Sequence, residues 1–210
     1  MSDLSTAGAK VGRGRVLVKI LIALLAVIFL VSLVFCVGTP HYYGAKYSPT
    51  TVRVASWAVP SEWTPERQTE GHTCGFHALS SIYRAYGLDP GAMRLRFRLG
   101  TDRRATNLDS ESLGTIHPDI LRVLDQDGFD ATTLVAIGDG SAEQIRDHLK
   151  SGHPVLALIR VSDLHWIVLT AIDGDDVVVC DSLRSELACE RFDDYVRERV
   201  LSAILIRPKE

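Results

Sequence analysis

Eighteen consecutive residues, Ile20 to Val37, carry no charged side chain, and nothing else in the chain restricts its fold as strongly. A helix of that length crosses roughly 30 Å of hydrocarbon, because every backbone polar group is satisfied within the segment. A helix that is apolar on all sides otherwise needs a core around it. A cleaved signal peptide has a shorter apolar stretch followed by a small-x-small site. Phe35-Cys36-Val37-Gly38 offers no such site, and the bulky Phe35 also argues against Cys36 as a lipid acceptor. The sequence therefore predicts one uncleaved transmembrane helix over residues 20–38.

The flanks give the orientation. Lys10, Arg13, Arg15 and Lys19 precede the apolar run, and only Lys46 and Arg53 follow it closely. Cations accumulate on the cytosolic side of a single span, so the N-terminus is expected in the cytosol and the larger part of the chain outside it. Residues 1–19 read as a basic, unstructured cytosolic tail. Residues 39–61, with three prolines and no helical period, read as a spacer. Residues 62–210 are long enough for one globular domain. The net charge of −3 gives no reason to expect nucleic acid. No phosphate-cradling glycine loop is present, and no cofactor, nucleotide or metal is expected.

Within the domain, helices precede strands. Cys74 to Tyr86 sets Leu79, Ile82, Tyr83 and Tyr86 on one helical face, and Gly87 follows as a stop. Met93 to Leu99 alternates like a strand, yet Asp89-Pro90 ahead of it suits a helix start, and both readings stay open. Pro118 to Asp127 reads as a helix closed by Gly128, and Ser141 with Gln144 as a capping box for a helix through Leu149. Pro154 to Ile159, His165 to Ile172, Val177 to Cys180 and Leu201 to Ile206 read as strands, with Asp173-Gly174-Asp175 as a hairpin turn. That order is α+β, with N-terminal helices packed on a C-terminal antiparallel sheet.

Four residues carry the candidate chemistry. Cys74 follows a polar loop and opens a helix, where backbone N–H groups and the helix dipole favour a thiolate. His165 starts an apolar strand, and Asp181 ends the strand expected beside it, sixteen residues on. Two antiparallel neighbours joined by a hairpin bring these two to one end of the sheet, where a carboxylate can orient an imidazole. Gln68, six residues before Cys74, lies within reach of an oxyanion forming on the nucleophile's substrate. Each has a plainer reading: a buried thiol, a rim histidine, a turn aspartate, a solvated glutamine.

The segment Gln68-Thr-Glu-Gly-His-Thr-Cys74-Gly75-Phe-His-Ala78-Leu79 resembles the double-glycine leader peptidases. These are the papain-like cysteine peptidase domains of bacteriocin-exporting ABC transporters and their stand-alone relatives. The resemblance continues through His165-Trp-Ile-Val-Leu-Thr-Ala-Ile and Val-Val-Val-Cys-Asp181 and covers roughly residues 62–206. It implies a papain-like fold and cleavage of a peptide bond in a protein or leader peptide. By position it implies Cys74 as nucleophile, His165 as general base and then acid, Asp181 as orienter, and Gln68 as oxyanion donor. Ser182 stands where many relatives have proline. An amidase or acyltransferase using the same residues, and a binding module keeping the fold without turnover, are the alternative functions.

Other features are set aside. Cys180 and Cys189 sit nine apart on two expected strands, so a disulfide and two free thiols are both open; neither lies in a zinc-type spacing. His72, His77, His117 and His153 read as surface or loop residues that do not group with acidic residues. Arg94, Arg96, Arg98, Arg103 and Arg104 read as a solvated basic face, with anionic headgroups or an acidic substrate as its other use.

Overall fold

The computed structural model describes residues 5–33, 52–104 and 109–210. Helix α1 (Ser5–Leu33) begins inside the stretch expected as an unstructured tail. No proline interrupts residues 5–33, so nothing in the backbone stops the helix there. Its Arg15–Leu33 portion has a mean hydropathy of 3.0 and exposed side chains, a length and composition that suit a membrane span or a signal sequence. Residues 34–38 of the expected span, and 39–51 of the expected spacer, fall outside the described residues.

The remaining elements form one six-stranded sheet in the order β1-β6-β2-β3-β4-β5, every neighbouring pair antiparallel. The strands are β1 (Phe129–Val135), β2 (Val155–Arg160), β3 (Leu164–Asp173), β4 (Asp176–Cys180), β5 (Ala188–Arg191) and β6 (Val200–Pro208). Helices α2 (Cys74–Ala85), α3 (Ala92–Arg98) and α4 (His117–Gln126) belong to the first half, and α5 (Asp139–Lys150) and α6 (Phe192–Arg199) to the second. The expected α+β class with an antiparallel sheet is what is found, but helices cover both faces of the sheet.

The alternation of side chains along β3 explains the two faces. Trp166 and Val168 join a core with Leu79, Ile82 and Tyr83 of α2 and Ile120 and Leu124 of α4. Ile167 and Leu169 point the other way, into a core with Ala142, Ile145 and Leu149 of α5 and Phe192 and Val196 of α6. Successive strand residues face opposite sides, and β3 is buried on both, which is why its sequence is a continuous apolar run. Full burial of each such leucine or isoleucine contributes about 1.5–3 kcal/mol. The turn between β3 and β4 has the expected glycine: Asp173 pairs with Asp176, and Gly174 between them takes φ +58°, open to glycine at little cost.

Several local expectations are settled or corrected. The Met93 to Leu99 stretch is helical, entered through Gly91 at φ +74°, whose N–H is held by Asp89 Oδ1 at 2.9 Å. Helix α5 starts earlier than the Ser141 box implied: Gly138 is the N-cap, and Ser141 at the third position accepts the Gly138 N–H at 2.8 Å. Strand β1 and helix α6 had no sequence expectation. Residues 52–61 lie on the globular body, where Val54 is buried and its N–H bonds Asp127 O at 2.9 Å. Cys180 and Cys189 are free, one buried and one exposed, because the register sets Cys189 opposite Val178 rather than Cys180.

The arginine cluster is a solvated face only in part: Arg94 and Arg104 are exposed, whereas Arg98 and Arg103 are not. Arg98 is fully buried and makes paired bonds to Asp127 at 2.7 and 2.8 Å, and Tyr83 donates its hydroxyl to the same carboxylate. Arg103 reaches Asp119 at 2.6 Å, also buried. A guanidinium leaves water only when a carboxylate meets its fork. These pairs pin α3 and the segment after it onto α4, and that segment forms one wall of the site described next.

Candidate active site

Cys74 is the first residue of α2 and is 6% exposed. The preceding turn is tied by Thr73, whose hydroxyl and N–H both bond Glu70 O, at 2.8 and 3.2 Å. The first amides of a helix have no partner within it, so they point along the axis toward the sulfur. Gly75 is required next to it: a Cβ there would come within 2.6 Å of Thr115 Cβ and 3.0 Å of Trp166 Cδ1. The Thr115 segment is fixed in turn, its carbonyl accepting from Trp166 Nε1 at 3.0 Å and its hydroxyl bonded to Thr101 Oγ1 at 3.1 Å.

His165, at the start of β3, is 4% exposed, and Asp181, the residue after β4, is 6% exposed. His165 Nε2 bonds Asp181 Oδ1 at 2.6 Å, and Asp181 Oδ1 also accepts the Leu183 N–H at 2.8 Å. Cys74 and His165 are near enough for each side chain to shift the ionisation of the other. The structure thus brings Cys74, His165 and Asp181 together at one end of the sheet.

The electrostatics favour charge separation there. Burial opposes a Cys74 thiolate, but the His165 side chain, the backbone at Trp166, the imidazolium charge and the backbone at Gly75 outweigh it and hold the thiol below its ordinary value. Burial likewise opposes the imidazolium, yet the bonds to Asp181 and Cys74 and their charges push His165 up to about 9. Asp181, against the cost of its own burial, is held below the usual carboxylate range by His165, the Leu183 amide and Arg184. All three directions favour the charged forms, a thiolate, an imidazolium and a carboxylate.

Gln68 lies on the loop before α2, half-buried. Its Nε2 donates to Glu70 O at 3.3 Å, and its Oε1 accepts from Ser182 Oγ at 2.6 Å. The backbone joins them too, Gln68 N donating to Ser182 O at 2.9 Å. One N–H of the amide group is thereby bonded within the loop, and Gln68 is not among the residues that line the cleft beside Cys74.

A cleft of about 200 Å³ opens beside Cys74, walled by Gly114, Thr115 and His117 on one side and Leu158, Leu164 and Trp166 on the other. His117, expected as a surface or loop residue, lines this cleft, meets Trp166 edge-on with ring centroids 4.6 Å apart and lies 3.1 Å from Ser202 Oγ. Burial holds its pKa below the ordinary imidazole value. His72 lines the cleft as well, and against expectation it does group with acidic residues: Glu70, His72 and Asp102 place ligand atoms within 4.8 Å of one another. Arg96 bonds both Glu70 and Asp102, so a cation already sits among these carboxylates.

Ser182, Thr115 and His117 escaped sequence reasoning. Nothing in the sequence ties Ser182 to Gln68, 114 residues away. For Thr115 the only local sign was the glycine at position 75, whose missing side chain marks a close approach.

Residues 61–198 match the model of the family described as Peptidase_C39 like. The peptidase domain of Streptococcus ComA, a bifunctional ABC transporter involved in quorum sensing, superposes with a TM-score of 0.54 at 18% identity, covering 70% of this chain and all of that one. A C39-like peptidase from Bacillus anthracis gives 0.54 at 13% identity, covering 73% and 98%. A double glycine motif protease from an AMS/PCAT transporter, in complex with its leader peptide, gives 0.51 at 14% identity, covering 77% and 97%. No curated protein matches the chain in sequence. At these identities the solved structures establish the papain-like fold, and the family match carries the assignment.

Proposed function

The chain belongs to the Peptidase_C39-like family, and we propose that within it this protein is a membrane-tethered cysteine peptidase that cleaves a peptide or protein near the bilayer. The observation that carries the reading is the adjacency of the Cys74 thiol to His165, whose Nε2 stands 2.6 Å from Asp181 Oδ1. A peptide as substrate is supported by the similar double glycine motif protease, which holds a leader peptide.

In the proposed reaction the Cys74 thiolate attacks the scissile carbonyl carbon, forming a C–S bond while the carbonyl oxygen takes negative charge. The free N–H of Gln68 and the first amides of α2 receive that oxyanion. The C–N bond then breaks, and His165, protonated in the resting ion pair, gives its proton to the leaving amine. Water, deprotonated by His165, attacks the thioester, releases the acid and returns the thiolate–imidazolium pair. Asp181 keeps the imidazole oriented and stabilises its charge throughout.

Residues 20–38 are the tether in this proposal, with residues 1–19 in the cytosol and the peptidase domain outside. The support is the apolar helix through Leu33 and the four cations ahead of Ile20. Cys189 is exposed on the domain and serves as a reporter. A membrane-impermeant maleimide added to intact cells labels it in this topology, and labelling only after lysis places the domain in the cytosol. For the activity, the detergent-solubilised full chain is incubated with a peptide library. New N-termini are expected with the unsubstituted protein and none with Cys74→Ala; equal cleavage by both contradicts the proposal.

A further inference from the structure

Gln68 and Asp181 are held by the same short stretch of chain, and that stretch contains a residue with no part in the scheme so far. Ser182 directly follows Asp181, is 6% exposed, and meets Gln68 twice: its hydroxyl donates to Oε1 at 2.6 Å and its carbonyl accepts the Gln68 N–H at 2.9 Å. At its other end, the Gln68 amide donates Nε2 to the Glu70 carbonyl at 3.3 Å.

A glutamine amide has nearly the same shape in its two orientations, so its neighbours must choose between them. The Glu70 carbonyl can only accept, so it fixes the nitrogen on its own side. The flipped amide would set two oxygens against each other there. The Ser182 hydroxyl can serve either end of an amide; with the nitrogen set by Glu70 it donates to Oε1 and anchors that end against rotation. Because Ser182 is buried, water does not readily replace that hydroxyl, and its loss leaves an amide oxygen without a partner.

We propose that Ser182 is a positioning residue that fixes the orientation of the Gln68 amide so that its remaining N–H faces the oxyanion. The inference rests on the proposed role of Gln68. Asp181 and Ser182, adjacent at the end of β4, then act on separate parts of one site: the first sets the imidazole and the second sets the amide.

The test uses the full chain in detergent with a peptide chosen from a library for cleavage by the unsubstituted protein. Ser182→Ala is expected to lower kcat about tenfold with little change in KM, less than the 10²–10³ typical of deleting an oxyanion donor outright. Ser182→Thr, which keeps the hydroxyl, recovers most of that loss. In a Gln68→Ala background the further change Ser182→Ala is silent, because there is no amide left to orient. The rate and pH profile of Cys74 alkylation stay as in the unsubstituted protein. The inference is overturned if Ser182→Ala leaves kcat intact while Gln68→Ala lowers it, if the two losses multiply in the double variant, or if Ser182→Ala slows Cys74 alkylation. Full kcat in Gln68→Ala, or no cleaved peptide at all, removes the reading beneath it.

Discussion

His165 Nε2 and Asp181 Oδ1 stand 2.6 Å apart, both buried at one end of the sheet, one opening β3 and the other just past β4. The hairpin through Gly174 makes the two strands neighbours, and the pairing of Val168 with Cys180 brings their ends together. Asp181→Asn keeps the shape of this contact and removes its charge. The imidazolium then loses its main support, so the alkaline limb of kcat, expected at about 9, moves to lower pH. Catalytic turnover is expected to fall about 10²-fold, the scale of a general acid–base contribution. Peptide cleavage measured from pH 5 to 10 checks both.

The same pair ties stability to pH. Folding raises the His165 pKa, so its contribution is fully present below the unfolded imidazole value and is lost as pH rises through about 9. Thermal unfolding of the unsubstituted protein should therefore show a loss of melting temperature on approaching and passing that pH. Asp181→Asn should flatten this loss.

Gly75→Ala tests the wall of the cleft. The added methyl would stand 2.6 Å from Thr115 Cβ, closer than packed atoms tolerate, so the helix start or the Thr115 segment must move. Overpacking of this kind costs about 1–3 kcal/mol. The expected outcome is a folded protein with a lowered melting temperature and a larger loss in peptide cleavage than that change alone explains.

Asp127→Asn leaves the fully buried Arg98 without a counter-charge and turns one of the two oxygens that Arg98 and Tyr83 bond into an NH2 donor. Breaking a buried pair from one side costs about 3–5 kcal/mol. Denaturant unfolding should show a loss of that size, while Arg98→Met with Asp127→Leu together should cost less than either single change, since no charge is then left unmet.

Cys74, His165 and Asp181 were legible as candidates because each sits where the sequence changes its period: Cys74 where a polar loop becomes a helix, His165 and Asp181 at the ends of apolar runs flanking a glycine turn. Local signals of that kind carry through to the fold. The arginines misled for the opposite reason. Arg98 and Asp127 are 29 residues apart, and no periodicity distinguishes a guanidinium that will meet a buried carboxylate from one that stays in water. Strand β1, with two threonines at its centre and its outer edge unpaired among the described strands, has only a weak alternation. Helix α6 carries acidic residues in its first turn and arginines in its last, suited to its dipole but easily taken for a charged loop.

Thiol accessibility follows from burial. In the folded chain Cys189 is exposed, whereas Cys180 is buried and its pKa is raised, first by that burial. Mass mapping after brief treatment with a maleimide should find Cys189 modified and Cys180 modified only on unfolding.

The ion pair itself is tested most directly by the rate of Cys74 alkylation with iodoacetamide as a function of pH, followed by peptide mapping of the full chain in detergent. With the thiol held below its ordinary value by His165, the rate should rise along a limb well below the free-thiol pKa of about 8.5. His165→Ala should move that limb up to the free-thiol range. A limb near the free-thiol value that His165→Ala leaves in place would contradict the account.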